Sequence, residues 1–102
     1  MKRGTTPTHT FTLPFDATMI AKARVLYSQN DAVILRKEGS DITIDGNTLV
    51  VRLSQEDTFK FTLGFQKYVE IQVRVLTPAN ESIVSDIIRV PVDRCLEEDV
   101  LV

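Results

Sequence analysis

The chain has 102 residues, 43% hydrophobic and 25% charged, the proportions of one folded domain and not of a disordered segment. Twelve Lys and Arg against 14 Asp and Glu leave a net charge of −2, which gives no electrostatic case for binding nucleic acid or an acidic membrane. One Cys and one His exclude an intrachain disulfide and argue against a zinc site built by a single chain.

Val, Ile and Thr together number 31, and these β-branched side chains favour a pleated, half-buried surface. Period-two alternation dominates, and no helical stripe runs for two turns. Residues 1–7 read as a flexible basic arm, 8–92 as the folded domain and 93–102 as an acidic tail. The first predicted strand covers 8–15, with His9, Phe11, Leu13 and Phe15 on one face. Pro14 cannot donate to a ladder, so this segment is an edge strand or leaves the sheet there. Asp16-Ala17-Thr18 caps a short turn that tucks Met19 and Ile20 inward. Residues 21–28 turn Ala23, Val25 and Tyr27 to the core. Gln29-Asn30-Asp31 is a turn of residues that tolerate positive φ. The strand at 32–37 is apolar at Val33, Ile34 and Leu35 and reads as covered on both sides.

Ile42 and Ile44 share a face, Asp45-Gly46-Asn47-Thr48 reverses the chain, and Leu49, Val51 and Leu53 resume the alternation. The Asp-Gly step between alternating strands marks a hairpin. Ser54 followed by Asp57 is a capping-box pattern that opens one helical turn. Phe59, Phe61, Leu63 and Phe65 then alternate as a further strand, with a reversal at 64–67. Residues 68–77 form the longest strand, facing Val69, Ile71, Val73 and Val75 inward. Pro78-Ala79-Asn80-Glu81 is a turn. Residues 82–92 return, and the change of parity around Asp86 to Ile88 predicts a β-bulge. The fold class is therefore all-β, an immunoglobulin-like antiparallel sandwich of two sheets and about seven to eight strands. Its expected core is Phe11, Leu13, Val25, Tyr27, Ile44, Leu49, Val51, Leu53, Phe59, Phe61, Val69, Ile71, Val73 and Val75.

Chemistry is sparse. His9 is the only imidazole, and a hydrolytic dyad needs it beside Ser or Cys with an orienting acid; it reads as an end-of-strand side chain. Cys95 has Arg94 beside it, a neighbour that favours the thiolate, but otherwise reads as a small apolar residue. Asp41, Asp45, Glu56 and Asp57 each serve a turn or a cap, and their spacing is not that of a calcium loop. The four glycines are scattered, so there is no phosphate loop. No Trp is present to stack on a base or sugar. Catalytic, cofactor-binding and metal-ligating residues are thus expected to be none. Asn80-Glu81-Ser82 matches a glycosylation sequon, but no apolar signal follows Met1-Lys2-Arg3-Gly4 and no stretch spans a bilayer. The chain is expected to fold in a reducing cytoplasm with Cys95 a free thiol.

Several stretches resemble small proteins encoded by tailed phages and prophages of Gram-positive bacteria. They are Arg3-Gly4-Thr5-Thr6-Pro7-Thr8, Phe11-Thr12-Leu13-Pro14-Phe15-Asp16, Asp45-Gly46-Asn47-Thr48, Leu53-Ser54-Gln55-Glu56-Asp57-Thr58, residues 69–77 and Ser85-Asp86-Ile87-Ile88. The strand plan is similar to the N-terminal immunoglobulin-like domain of phage baseplate upper proteins. That resemblance implies a non-enzymatic structural or assembly module. It implies other phage structural proteins, and further copies of the chain, as partners, and association with the virion. It carries no site residues. The alternative expectation is a stand-alone module that binds an extended peptide or a glycan.

Overall fold

Alternating apolar residues must be covered from both sides, and here two antiparallel sheets cover each other. The computed structural model describes residues 1–64 and 66–102. Among the described residues the strands are β1 (Thr8–Thr12), β2 (Lys22–Gln29), β3 (Ala32–Glu38), β4 (Ile42–Asp45), β5 (Thr48–Arg52), β6 (Tyr68–Leu76), β7 (Ser82–Val84) and β8 (Ile88–Pro91). One short helix, α1 (Gln55–Phe59), joins β5 to β6. The smaller sheet has the order β1-β5-β4, and the larger has β3-β2-β6 with β7 and β8 sharing the far side of β6. This is the order of an immunoglobulin-like Greek key, with β1, β5 and β4 in the places of strands B, E and D and the larger sheet in those of C′, C, F and G. The sandwich expected from the alternation is therefore present.

Turn chemistry sets the registers. Asn30 and Asp31 both have positive φ (52° and 62°) between the paired residues Gln29 and Ala32, as a two-residue type I′ hairpin requires. In the second hairpin Asp45 pairs with Thr48, so the central residues are Gly46 and Asn47, not the Asp-Gly step. Only Gly46 of that pair has positive φ, the position where a type II′ turn places glycine. The β6–β7 turn ends on Asn80 at φ 64°, with the Thr77 hydroxyl accepting from the Glu81 amide at 3.0 Å. The expected bulge is present: β7 and β8 pair with β6 in registers that differ by one residue. Ser85 fills the break, its hydroxyl accepting from the Val73 amide at 2.9 Å and its amide donating to the Val73 carbonyl at 2.9 Å.

Val25, Tyr27, Leu49, Val51, Leu53, Phe61, Val69, Ile71, Val73 and Val75 are buried as expected. Phe11, Leu13 and Phe59 are only half-buried, and Ile44 is 43% exposed on the free edge β4. Ala17, Leu35, Ile42 and Val92 complete the core instead. Ala17, not Met19, enters the core from the 3-10 turn Ala17–Met19; Met19 is 66% exposed. The apolar run on β3 is not covered on both sides. The register shifts between Tyr27 and Ser28, so Ile34 is an inserted residue, Leu35 is buried and Val33 is 49% exposed on an edge strand.

The strand expected after Ser54 is not formed over its described part. Phe59 closes α1, and Phe61 and Leu63 lie in irregular chain; Phe65, within the reversal expected at 64–67, falls outside the described residues. The capping box is formed, with Asp57 N–H donating to Ser54 Oγ and Ser54 N–H to Asp57 Oδ2, both at 3.0 Å. Capped in this way, the turn persists long enough to carry Phe59 out of extended geometry.

Candidate functional site

Polar side chains that enter the sandwich serve its closure. Tyr27 on β2 is wholly buried, and its hydroxyl lies 2.7 Å from His9 Nδ1 on β1. Burial, and then the Asp57 charge, push the Tyr27 hydroxyl pKa up; burial, and then the positive amino terminus, push the His9 imidazole pKa down. Both rings are therefore neutral near neutrality, and the imidazole tautomer sets which of the two donates in the hydrogen bond between them. No Ser or Cys hydrogen-bonds to His9 among the described residues. The arrangement joins the two sheets and contains no activated nucleophile.

Asp57 caps α1 and also meets Lys37 Nζ of β3 at 2.8 Å. Burial pushes its carboxyl up, but hydrogen bonds from Lys37 and Ser54 and the Lys37 charge outweigh this and hold it below the ordinary carboxylate range. Asp41 belongs to the 3-10 turn Gly39–Asp41, where it accepts weakly from the Glu38 amide at 3.4 Å. Asp45 closes the β4–β5 hairpin through its carbonyl, which accepts from the Thr48 hydroxyl at 2.7 Å. Glu56 is exposed on α1. Asp45 sits at the Thr48 end of β5 and α1 follows the Arg52 end, so these acids do not converge. Among the described residues no three His, Cys, Asp or Glu side chains stand close enough to hold a metal. Cys95 is a half-exposed free thiol.

Gln29 is a structural residue that the sequence reading placed in a turn. It is 1% exposed, and its amide donates to the Thr62 carbonyl at 2.9 Å and accepts from the Thr62 amide at 2.7 Å. A lone Gln before a turn carries no sequence signal for this. Thr58 does the same for the N-terminal segment: its hydroxyl accepts from Gly4 N–H and donates to the Thr5 carbonyl, both at 2.9 Å. Arg3 is held by the Phe59 and Phe61 carbonyls at 3.0 and 2.6 Å, and it pairs with Glu98. Lys2 and Asp93 form a parallel bridge. Residues 1–7 thus lie along α1 and the chain that follows β8.

The feature with room for a partner is on another side. Between β4 of the smaller sheet and the facing ends of β2 and β6 in the larger one, a groove of about 620 Å³ opens. Its apolar floor includes Ile20, Ala23, Ile42, Ile44 and Val75. Lys22, Arg24 and Arg74 also border it, but along β2 and β6 they alternate with the inward-facing Ala23 and Val75, so their side chains leave from the outer face of the larger sheet. Arg24 and Arg74 are directly opposed across β2 and β6, a like-charge pair that costs stability in a sheet. Glu38 pairs with Arg24 at 2.6 Å, and no ion pair reaches Arg74 or Lys22 among the described residues. The groove is therefore apolar where the two sheets face each other. No aromatic ring lines it, so it offers no stacking surface for a sugar.

Among the described residues no helix is long and apolar enough to cross a membrane. Searches against protein-family models, curated proteins and solved structures find no match to this chain.

Proposed function

We propose that the protein is a non-enzymatic structural or assembly component of a phage tail or baseplate, acting through protein–protein contacts. The observation that carries the contact role is the apolar groove beside the free edge β4. A free strand edge with unpaired backbone groups next to apolar surface is suited to adding a strand from another chain. The polar side chains that enter the core are satisfied structurally, which supports a binding role over catalysis. The assignment to a phage particle rests on the resemblance of Leu53-Ser54-Gln55-Glu56-Asp57-Thr58, residues 69–77 and the other stretches to phage-encoded proteins.

The test is quantitative mass spectrometry of gradient-purified particles from a producing strain, together with deletion of the coding sequence. The expected result is the chain at fixed stoichiometry in particles or in tail-assembly intermediates, and defective tails after deletion. Normal particles with normal infectivity, and no chain in particles or intermediates, would refute the proposal. The second reading, a stand-alone module for an extended peptide, is favoured by the same groove and predicts binding without any virion partner. The glycan version has no aromatic lining to support it.

A further inference from the structure

We infer that the outer face of the larger sheet docks an acidic, extended segment of a partner protein. This surface is separate from the β4 edge and its role goes beyond the contact proposed there. Ala23, Val25 and Tyr27 pair with Val75, Val73 and Ile71 toward the core, so the residues that alternate with them point outward. The outward residues of the sheet include Lys22, Arg24, Arg36, Arg74 and Arg89, against Glu38 and Glu70. This face therefore carries +3 in a chain whose net charge is −2, which leaves −5 on the rest of the molecule. Arg24 is met by Glu38 at 2.6 Å and Arg89 by Glu70 at 3.7 Å. Lys22, Arg36 and Arg74 are exposed and have no ion pair or side-chain hydrogen bond among the described residues.

The cations are also close together. Arg74 stands directly opposite Arg24, and Arg36 stands opposite Leu26, the next outward residue on β2. With strands about 4.8 Å apart and outward residues about 7 Å apart along each, Lys22, Arg24, Arg36 and Arg74 rise from a patch of about 14 by 10 Å. Opposed like charges cost a sheet stability, and no acid of this chain relieves Arg74 among the described residues. Carboxylates from outside relieve it, because a guanidinium takes a carboxylate in two parallel hydrogen bonds. An extended segment with an acid at every second position presents carboxylates about 7 Å apart, the spacing of Lys22 and Arg24 along β2. Leu26, Leu76 and Val84 lie among the cations on the same face, and arginine beside apolar side chains is the composition of a protein interface. Nucleic acid fits less well. Three unpaired cations release few counterions, and Tyr68, an outward ring on this sheet, is covered by Arg89 at 5.2 Å. Packing this face on the same face of a second copy would oppose +3 with +3.

The probe is a capped synthetic peptide of about ten residues, alternating glutamate and alanine, titrated into the isotope-labelled full chain at about 20 mM and about 200 mM salt and followed by amide chemical shifts. Shifts should move around residues 22–26, 36–38 and 72–76, and binding should weaken about tenfold at the higher salt. Arg74→Glu should weaken binding about tenfold or more at the lower salt. Arg52→Glu, the same charge change at an exposed position on the smaller sheet, should weaken it no more than about twofold. Both positions are exposed, and unchanged shifts away from each substitution verify the fold. No binding, shifts centred elsewhere or equal losses in the two variants would each overturn the inference. So would a thymidine oligonucleotide of equal charge bound here at least as tightly, or a salt-sensitive dimer of the chain through this face. Ile44→Asp in the groove should leave peptide binding unchanged, and a chain that binds no peptide but is present in purified particles would leave the assembly reading standing.

Discussion

Replacing either partner of the Tyr27–His9 contact should have unequal effects, because only one of them is wholly buried. Tyr27→Phe removes the hydroxyl that lies 2.7 Å from His9 Nδ1 and leaves the ring packed against Phe61 at 5.9 Å between centroids. Half-buried His9 then retains access to water, so the loss is that of an ordinary hydrogen bond, about 1 kcal/mol. His9→Ala strands the Tyr27 hydroxyl in a fully buried site with no alternative partner among the described residues, and removes the imidazole packed at 5.6 Å. The unpaired hydroxyl alone costs about 1–3 kcal/mol, so His9→Ala should be the more damaging. The double variant should fall short of the sum by about 1 kcal/mol, since its second substitution removes a group already unpaired. Urea unfolding followed by far-ultraviolet dichroism measures all three. The protonation state provides a second arm. The folded His9 pKa lies below the ordinary 6.5, so below about pH 6.5 the unfolded chain binds the proton more readily. Stability linked to His9 is full above 6.5 and is lost as pH falls through the lower folded value, and His9→Ala should abolish that slope. Equal destabilisation by the two single variants, with no coupling and no change in slope, would refute this account of the contact.

Three further outcomes follow from the other structural polar groups. Asp57→Ala should cost about 2 kcal/mol in thermal or urea unfolding, through loss of the cap and of the Lys37 partner. In the parent the Asp57 contribution is present above its ordinary 3.8 and disappears as pH falls through its lowered folded value, a loss that acid titration of the variant should lack. Gly4→Ala should lower the melting temperature, because a Cβ there would lie 2.7 Å from Phe59 Cζ and Gly4 has φ 81°; about 1–2 kcal/mol is expected, and an unchanged melting point would contradict it. Gln29→Ala should speed amide exchange at Thr62 ahead of the β2–β6 ladder, since it removes both hydrogen bonds to that residue. Uniform exchange rates across both regions would show that Gln29 does not hold the segment.

The strand plan was legible because alternation is a local property that the sheet only has to cover. Val69 to Val75 faces inward as read, and the hairpins fall at Asn30-Asp31 and at Gly46-Asn47, where the residues tolerate the required φ. The misread places are those where one extra residue or one turn of helix changes phase. Ile34 is inserted into β3, which turns a three-residue apolar run into one buried and one exposed face. Phe59 and Phe61 are spaced by two, as in a strand, but the box closed by Ser54 and Asp57 holds the first of them on a helical turn. Nor was the groove legible: Ile20, Ile44 and Val75 lie far apart in sequence, and their proximity follows from sheet order.

The distribution of these structural contacts bears on where the molecule can receive a partner. On the side of α1, buried or partly buried polar groups anchor otherwise irregular chain: Gln29 holds Thr62, Thr58 holds residues 4 and 5, Asp57 holds Lys37, and Arg3 holds the Phe59 and Phe61 carbonyls. All but the Asp57–Lys37 pair fix a backbone that no sheet pairs, and a strand arriving there would have to break bonds already made. At the other side β4 has four residues, its outer edge is unpaired among the described residues, and Ile44 is exposed beside an apolar groove. Among the described residues no strand pairing has to be broken at that edge before a new strand pairs. The difference in cost between the two sides favours β4 over the side of α1 as the place where the proposed contact would form.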